Sequence, residues 1–275
     1  MKRKMTVPQI ILNVCIIITL LVMLYPLAMA LWSSFKSSFS FTYTKWYPTL
    51  PLRISNLSVA FKNVAQYTLN TVIVAACGTL GSLAVSSLAA YAFSRMRFAG
   101  KKVLYSMVIA LMMIPGVLTL VPSYMIYKEI VGLNNLMILI LPTIVGGSIF
   151  GVFLLRSFFE GLPEAMFEAA RLDGASEFDI YLRICLPLSG PIVGTLAIMQ
   201  IINTWNDYMW PIITIQDDEL LTISAGLIQR FASTTSTNYP ITMASYLLSS
   251  LPLIIFFVFA NKAYIAGLTS SGIKL

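Results

Sequence analysis

Six of the chain's eleven carboxylates fall within one short stretch: Glu160, Glu164, Glu168, Asp173, Glu177 and Asp179. Only Arg156, Arg171 and Arg183 accompany them, and long apolar runs lie on either side. A helix made to lie flat on lipid would be rich in Lys and Arg. An acidic excess argues instead for contact with another protein. Catalysis is the other chemistry to weigh. The chain has no histidine, which removes the commonest general base and metal ligand. Cys15, Cys77 and Cys185 lack metal-ligand spacing and read as small packing residues. An enzyme inside a membrane would need clustered catalytic groups there, and the apolar runs hold no acid or base at all.

The stretch carries its own folding signals. Leu162-Pro163 marks a helix start, since proline fits a first turn. Glu164 and Glu168 then sit near the positive end of the helix dipole. Ala165, Ala169 and Leu172 share one face, with Met166 and Ala170 beside it. Gly174 after Asp173 reads as a left-handed stop. Ser176 with Asp179 three residues on resembles a capping box. The predicted unit is a short helix, a sharp glycine turn, and a second helix running on through Pro187. Its small Ala169-Ala170 pair would let a partner surface approach closely.

The elements around this unit follow from composition. Of 275 residues, 58% are hydrophobic and only 11% charged, against about 25% charged in a soluble domain. Six stretches of 18 or more residues lack Asp, Glu, Lys and Arg: 5–35, 63–94, 103–127, 130–155, 184–206 and 231–261. A helix crosses the bilayer in about 20 residues, so each run holds one span and none holds two. The runs do not alternate as strands of a membrane barrel would. The expected fold is therefore all-α, an integral membrane protein with six transmembrane helices.

With the amino terminus in the cytoplasm, Lys36, Lys45, Arg53, Lys62, Lys128 and Arg230 lie outside and the other 12 of 18 Lys and Arg lie inside. That bias places both termini and residues 156–183 in the cytoplasm. The net charge of +7 then reflects anionic lipid headgroups, with no nucleic-acid partner implied. Lys2-Arg3-Lys4 before an apolar run resembles a secretory signal, but the run is too long and lacks a small-residue cleavage site. It reads as a retained helix.

The spans are uneven. Gly78, Ser82, Ser86 and Ala90 recur every four residues, a stripe suited to close helix packing. Pro115-Gly116, Pro122, Pro142, Gly146-Gly147, Pro187, Gly190, Pro191 and Gly194 interrupt the third, fourth and fifth runs. Proline frees a backbone carbonyl, so such breaks belong against protein or a polar cavity, as in a transport pathway. The outer segment 36–62 is aromatic, with Phe39, Phe41, Tyr43, Trp46 and Tyr47, and reads either as an interfacial belt or as a docking surface. Asp217-Asp218-Glu219 reads as a solvated loop face, and Ser233–Thr237 as plain loop. At the outer end of the fifth run, Trp205, Asn206 and Tyr208 combine aromatic faces with an amide, which suits sugar rings as well as an interfacial anchor. Tyr124, at the outer end of the third run, is a further candidate.

The pattern Glu168-Ala169-Ala170, Gly174, Ile184-Cys185-Leu186-Pro187 resembles the cytoplasmic loop of ABC importer permeases. EAARLDGAS, NTWNDYMWP at 203–211 and AYIAGLTSSGIK at 263–274 are similar to the maltose-type carbohydrate permeases. The ending, Ser270-Ser271-Gly272-Ile273-Lys274-Leu275, departs from the small-residue run common in that family. The resemblance implies an amino-terminal helix with its outer loop over 1–65, then a core permease domain over 66–275 with its coupling loop at about 160–183. It implies that Glu168, Ala169, Ala170, Leu172, Asp173 and Gly174 form a short cytoplasmic coupling helix and turn between helices 4 and 5. It further implies a second permease, two ATP-binding subunits that hold the ATP and Mg, an extracytoplasmic solute-binding protein, and a place in a bacterial inner membrane. The expected solute is a carbohydrate; a glycerophosphate or polyol is the alternative. Gly100-Lys101-Lys102 lacks the earlier glycine and the Ser/Thr of a Walker A loop, so no cofactor is expected in this chain and ATP hydrolysis would fall to a partner.

Overall fold

A computed structural model describes residues 7–232 and 238–272, with backbone alone for 261–272. Lys2-Arg3-Lys4, Ser233–Thr237 and Lys274 lie outside the described residues. All regular structure among them is helical: α1 (Val7–Ser34), α2 (Ser38–Tyr43), α3 (Ser55–Arg95), α4 (Lys101–Met112), α5 (Gly116–Val131), α6 (Met137–Glu160), α7 (Glu164–Leu172) and α8 (Glu177–Ile180). There follow a π-helical turn (Tyr181–Cys185), α9 (Leu186–Leu188), α10 (Gly190–Asn206), α11 (Met209–Thr214), a 3-10 turn (Asp218–Leu220), α12 (Ile223–Ala232) and α13 (Tyr239–Gly272).

Among the described residues, four helices are long and apolar enough to cross a membrane: Val7–Ser34, Ser55–Arg95, Met137–Glu160 and Tyr239–Ala260. The third and fifth predicted spans are not single straight helices. α4 and α5 meet at 106°, and the Glu177–Leu188 helix meets α10 at 76°. The count is therefore four, or six if each bent pair is one span. The cause of each bend is local. Pro115 lacks an N–H and disfavours helical backbone at Ile114 before it. At Ser189 the chain leaves helical geometry, with ψ near 5°, between Pro187 and Pro191.

Chain contacts divide the protein into two units, 1–65 with 230–252, and 66–229 with 253–275. In the first, the segment expected as a loose outer loop is folded. Lys36 is 1% exposed; its ammonium donates to the carbonyls of Thr44 and Tyr47. Asn56 donates to the carbonyls of Ser34 and Lys36, each at 2.8 Å. Trp32 Nε1 donates to Lys45 O at 3.2 Å and Tyr25 Oη to Trp46 O at 3.1 Å. Phe41 is buried and stacks on Tyr239, ring centres 5.3 Å apart, while Phe39, Tyr43, Trp46 and Tyr47 face outward. Residues 55–62, expected in that loop, are already the first turns of α3.

In the second unit, glycines let α3 and α6 pack closely, with Gly78, Gly81, Gly147 and Gly151 each lying against a side chain of the facing helix. A Cβ on Gly78 would strike Thr143; one on Gly81 would meet Ile144 at 2.6 Å; one on Gly147 would meet Ser82 Oγ at 2.6 Å; one on Gly151 would meet Ser86 Cβ at 2.7 Å. The small-residue stripe on α3 thus meets a matching stripe on α6, four residues per step on both. Pro142 sits inside α6 and cannot donate to the carbonyl of Ile138, one turn back. Trp210 Nε1 supplies the missing donor at 2.7 Å.

Elsewhere in the same unit, residues 214–223 are tied down. Asn134 Oδ1 accepts from the backbone N–H groups of Gln216 (3.0 Å) and Asp217 (2.8 Å). Asn70 donates to the carbonyls of Glu219 and Leu221, and Thr71 Oγ1 accepts from Ile223 N–H at 2.7 Å. Tyr67 Oη donates to Asp218 Oδ2 at 2.6 Å. The acidic triplet Asp217-Asp218-Glu219 is exposed, as expected of a solvated face, and Asp218 is in addition bonded to Tyr67.

Candidate functional site

Two regions of the second unit hold the polar chemistry: the acidic insert, and a cavity between α3, α6 and α10.

The insert folds as the spacing predicts, with one shift. Pro163 stands just before α7 as its N-cap, and Glu164 is the first helical residue. Gly174 adopts φ +83°, the left-handed stop expected of it. Ser176 Oγ accepts from Asp179 N–H at 3.2 Å and donates to Asp179 Oδ2 at 2.5 Å, so the cap closes on the hydroxyl. That hydroxyl holds the Asp179 carboxyl below its usual range. The second helix opens at Glu177 and widens to a π turn over Tyr181–Cys185 before reaching Pro187.

α7 has two faces. Phe167 points inward and is fully buried among Tyr91, Leu155, Phe159, Ile180 and Cys185, with Ala170 packed against the same cluster. Glu168, Ala169, Asp173 and Gly174 face outward, and Leu172 is 89% exposed. One face of α7 is thus locked into the core, and the other leaves a bare leucine beside small residues. Phe167 was the anchor that face assignment from the alanines missed; it lies on the opposite side of the helix from Ala165, Ala169 and Leu172.

Charged groups bind α7 at both ends. Arg95, the last residue of α3, has a 6% exposed side chain. It pairs with Glu164, donates to the carbonyls of Phe159 and Leu162, and lies 4.0 Å above the Phe167 ring. Arg171 reaches Glu164 at 3.3 Å and Glu177 at 2.9 Å. Glu177 Oε2 also accepts from Tyr91 Oη at 2.7 Å. Those two bonds, the Arg171 one foremost, hold the Glu177 carboxyl below the usual carboxylate range.

The cavity measures about 620 Å³. Ser82 and Ser86 line it from α3, Thr143, Gly147 and Gly151 from α6, and Gln200, Asn203 and Asp207 from α10 and its end, with Trp210 beside them. Gln200 Nε2 donates to Thr143 O at 3.2 Å, and Asp207 Oδ1 accepts from Trp210 N–H at 3.3 Å. Asp207 is the single charged residue on the described lining. None of Tyr124, Trp205, Asn206 and Tyr208 lines it. Trp205 is buried, and its carbonyl accepts from Ser224 Oγ at 2.5 Å. Asn206 is exposed and donates back to Ile202 O at 2.8 Å; Tyr208 is exposed; Tyr124 on α5 is half-buried. Asp207 and Trp210 stand beside the aromatic group the sequence singled out; the residues it passed over, Gln200 and Asn203, lie three apart on one face of α10, and that spacing was the available signal.

A family model described as "Binding-protein-dependent transport system inner membrane component" matches residues 82–269. A probable ABC transporter permease protein, YurM of Bacillus subtilis, is 32% identical over 274 residues, 99% of this chain and 91% of that protein. The arabinooligosaccharides transport system permease protein AraQ of Halalkalibacterium halodurans is 33% identical over 193 residues, 70% of this chain and 68% of its own. The melibiose/raffinose/stachyose import permease protein MelC of Bacillus subtilis is 29% identical over 90% of this chain and 91% of its own. In three dimensions the chain superposes on one chain of a bacterial ABC transporter involved in the import of the acidic polysaccharide alginate. The TM-score is 0.81 at 22% identity, covering 92% of this chain and 95% of that one. With the locked, outward-facing helix and the matched helix stripes, these likenesses carry the conclusion that the chain belongs to the binding-protein-dependent inner membrane component family, the permeases of ABC importers.

Proposed function

We propose that this chain is one of two permeases forming the translocation pathway of an ATP-driven carbohydrate importer in a bacterial inner membrane. Each bent helix pair counts as one span in this reading, giving six spans with both termini in the cytoplasm. α7 is the coupling helix. The observation that carries the reading is its division of faces: Phe167 and Arg95 fix the inner face, while Glu168, Ala169, Leu172, Asp173 and Gly174 stand free to enter an ATPase groove. Two ATPase subunits bind ATP and Mg and drive the stroke. A solute-binding protein delivers the cargo from outside.

Carbohydrate is favoured over glycerophosphate by two observations. Arabino-oligosaccharides, α-glucosides and raffinose name the transport systems of several relatives, although an sn-glycerol-3-phosphate permease, UgpE of Salmonella typhi, is also 32% identical over 204 residues. The cavity offers amides, hydroxyls and an indole, with Asp207 as its charge and no Lys or Arg among its described lining residues. That lining suits a neutral polyhydroxyl ring better than a phosphate dianion. Tyr124, Trp205, Asn206 and Tyr208 extend the proposed path at the outer ends of α5 and α10.

The test uses the whole complex in proteoliposomes with its cognate binding protein. Raffinose, an arabino-oligosaccharide, an α-glucoside and glycerol-3-phosphate are offered in turn. ATP-dependent uptake of a sugar is the expected result; uptake of glycerol-3-phosphate alone would overturn the substrate reading. Gly174→Val probes the coupling. No atom lies within 4 Å of a Cβ there, so the variant acts through the backbone, where a left-handed L-residue costs about 1–2 kcal/mol. Uptake should fall while membrane insertion is kept; unchanged uptake and ATPase stimulation would sink the coupling role.

A further inference from the structure

The charged groups around α7 form one continuous ladder: Arg95, Glu164, Arg171, Glu177, Tyr91. Its signs alternate along the four ionised members. Both ends stand on α3, one helical turn apart, since Tyr91 and Arg95 are four residues apart. The middle members stand on α7 and α8. α7 is therefore tied to α3 twice, at its first residue through Glu164 and in its last turn through Arg171.

This connection is not the one the chain provides. Covalently, α7 continues from α6 and leads through α8 to α10. A stroke applied to α7 would reach α3 only through side chains. α3 carries Ser82 and Ser86 on the cavity wall, about two and a half to three and a half turns from Arg95. A second bridge, Tyr181 Oη to Ser87 Oγ at 2.8 Å, joins α3 to the π turn. The Arg95 guanidinium also clamps the α6–α7 corner through the carbonyls of Phe159 and Leu162. Arg95 is buried while Glu164 is half exposed, so this end of the ladder is held by the two backbone carbonyls as well as by the ion pair.

We propose that the ladder is a strut that carries the ATPase stroke from α7 into α3, with Arg95 and Tyr91 as its positioning residues. It rests on the coupling reading given above. Loss of the strut would leave ATP hydrolysis running while the cavity wall stops responding.

The experiment places a reporter in the cavity, Asn203→Cys, in a complex whose exposed Cys15 and Cys77 are replaced by Ser. A membrane-impermeant maleimide is applied from the outer side, without nucleotide and with ATP plus vanadate. With the ladder intact, the labelling rate should change several-fold between the two conditions. Arg95→Gln should abolish that change while ATP hydrolysis per complex persists, and Arg95→Lys, which keeps the charge opposite Glu164, should restore part of it. A full nucleotide response in Arg95→Gln overturns the strut. If that variant fails to assemble, Tyr91→Phe decides by the same ratio, because it removes one hydroxyl and keeps the ring. Leu172→Asp separates the two readings. If it leaves ATPase attachment and the response intact, the coupling role of α7 fails; if it abolishes the response and Arg95→Gln does not, the strut alone fails.

Discussion

Replacing Gly151 by alanine tests whether α3 and α6 pack as closely as described. The added methyl carbon would lie 2.7 Å from both Cβ and Oγ of Ser86, where carbon atoms normally rest at about 3.5–4.0 Å. The hydroxyl can swing aside, but Cβ is fixed to the backbone, so the helices must part by about 1 Å. Overpacking of this kind costs about 1–3 kcal/mol. At about 2–4 °C per kcal/mol for a large domain, the thermal midpoint should drop by about 2–12 °C. The assay is a thermal scan of the purified complex in detergent, followed by intrinsic tryptophan fluorescence. The partner variant Ser86→Gly removes both contacted atoms. Alone it should cost about 0.5–1 kcal/mol as a helical glycine; combined with Gly151→Ala it should recover most of the loss. A Gly151→Ala complex that melts with the wild type would refute the close packing, as would a double variant no better than the sum of the singles.

The two faces of α7 should separate stability from assembly. Phe167→Ala opens a cavity at a fully buried site and should cost about 3–5 kcal/mol, seen as loss of folded protein from the membrane. Leu172→Asp should leave the melting temperature unchanged and abolish co-purification with the ATPase. The insert should also respond to acid. Glu177 holds its proton less tightly folded than unfolded, so its contribution is present at neutral pH and is lost as the pH falls through the ordinary glutamate range, about 4.3, and below. Protection from hydrogen exchange over residues 164–180, taken relative to the intrinsic rate at each pH, should fall on that descent, and Glu177→Gln should flatten the dependence.

Much of this was legible in the residues, for physical reasons that also mark where legibility ends. A glycine after Asp173 signals a left-handed turn because few other residues tolerate it, and φ +83° at Gly174 follows. The stripe Gly78, Ser82, Ser86, Ala90 signals close approach because only small side chains permit it. Periodicity shows which residues share a face but not which face turns inward, so Ala165, Ala169 and Leu172 were grouped while the anchor, Phe167, was passed over. Proline identifies where a helix is interrupted without fixing the consequence: Pro115 accompanies a 106° bend, while Pro142 stays within α6 because a tryptophan 68 positions later meets its orphaned carbonyl. Long-range bonds of that kind leave no mark in local sequence. The ladder through Arg95 is hidden in the same way, since its partner Glu164 lies 69 residues away.

The π turn at Tyr181–Cys185 has a consequence for chain length. Such a turn is an α-helix holding one residue more than its geometry needs. One residue is worth about 100° of rotation about the helix axis. Deleting one residue there would let the segment relax to regular α-helix with Leu186–Leu188 and the start of α10 kept in register, whereas a deletion in the regular helix on either side would swing them around by that angle. Gln200 and Asn203 would then be carried off the cavity wall without a single change to their own sequence. The π turn is thus the one place between the acidic insert and α10 where a residue can be spared, and elsewhere the spacing is fixed whatever side chains occupy it.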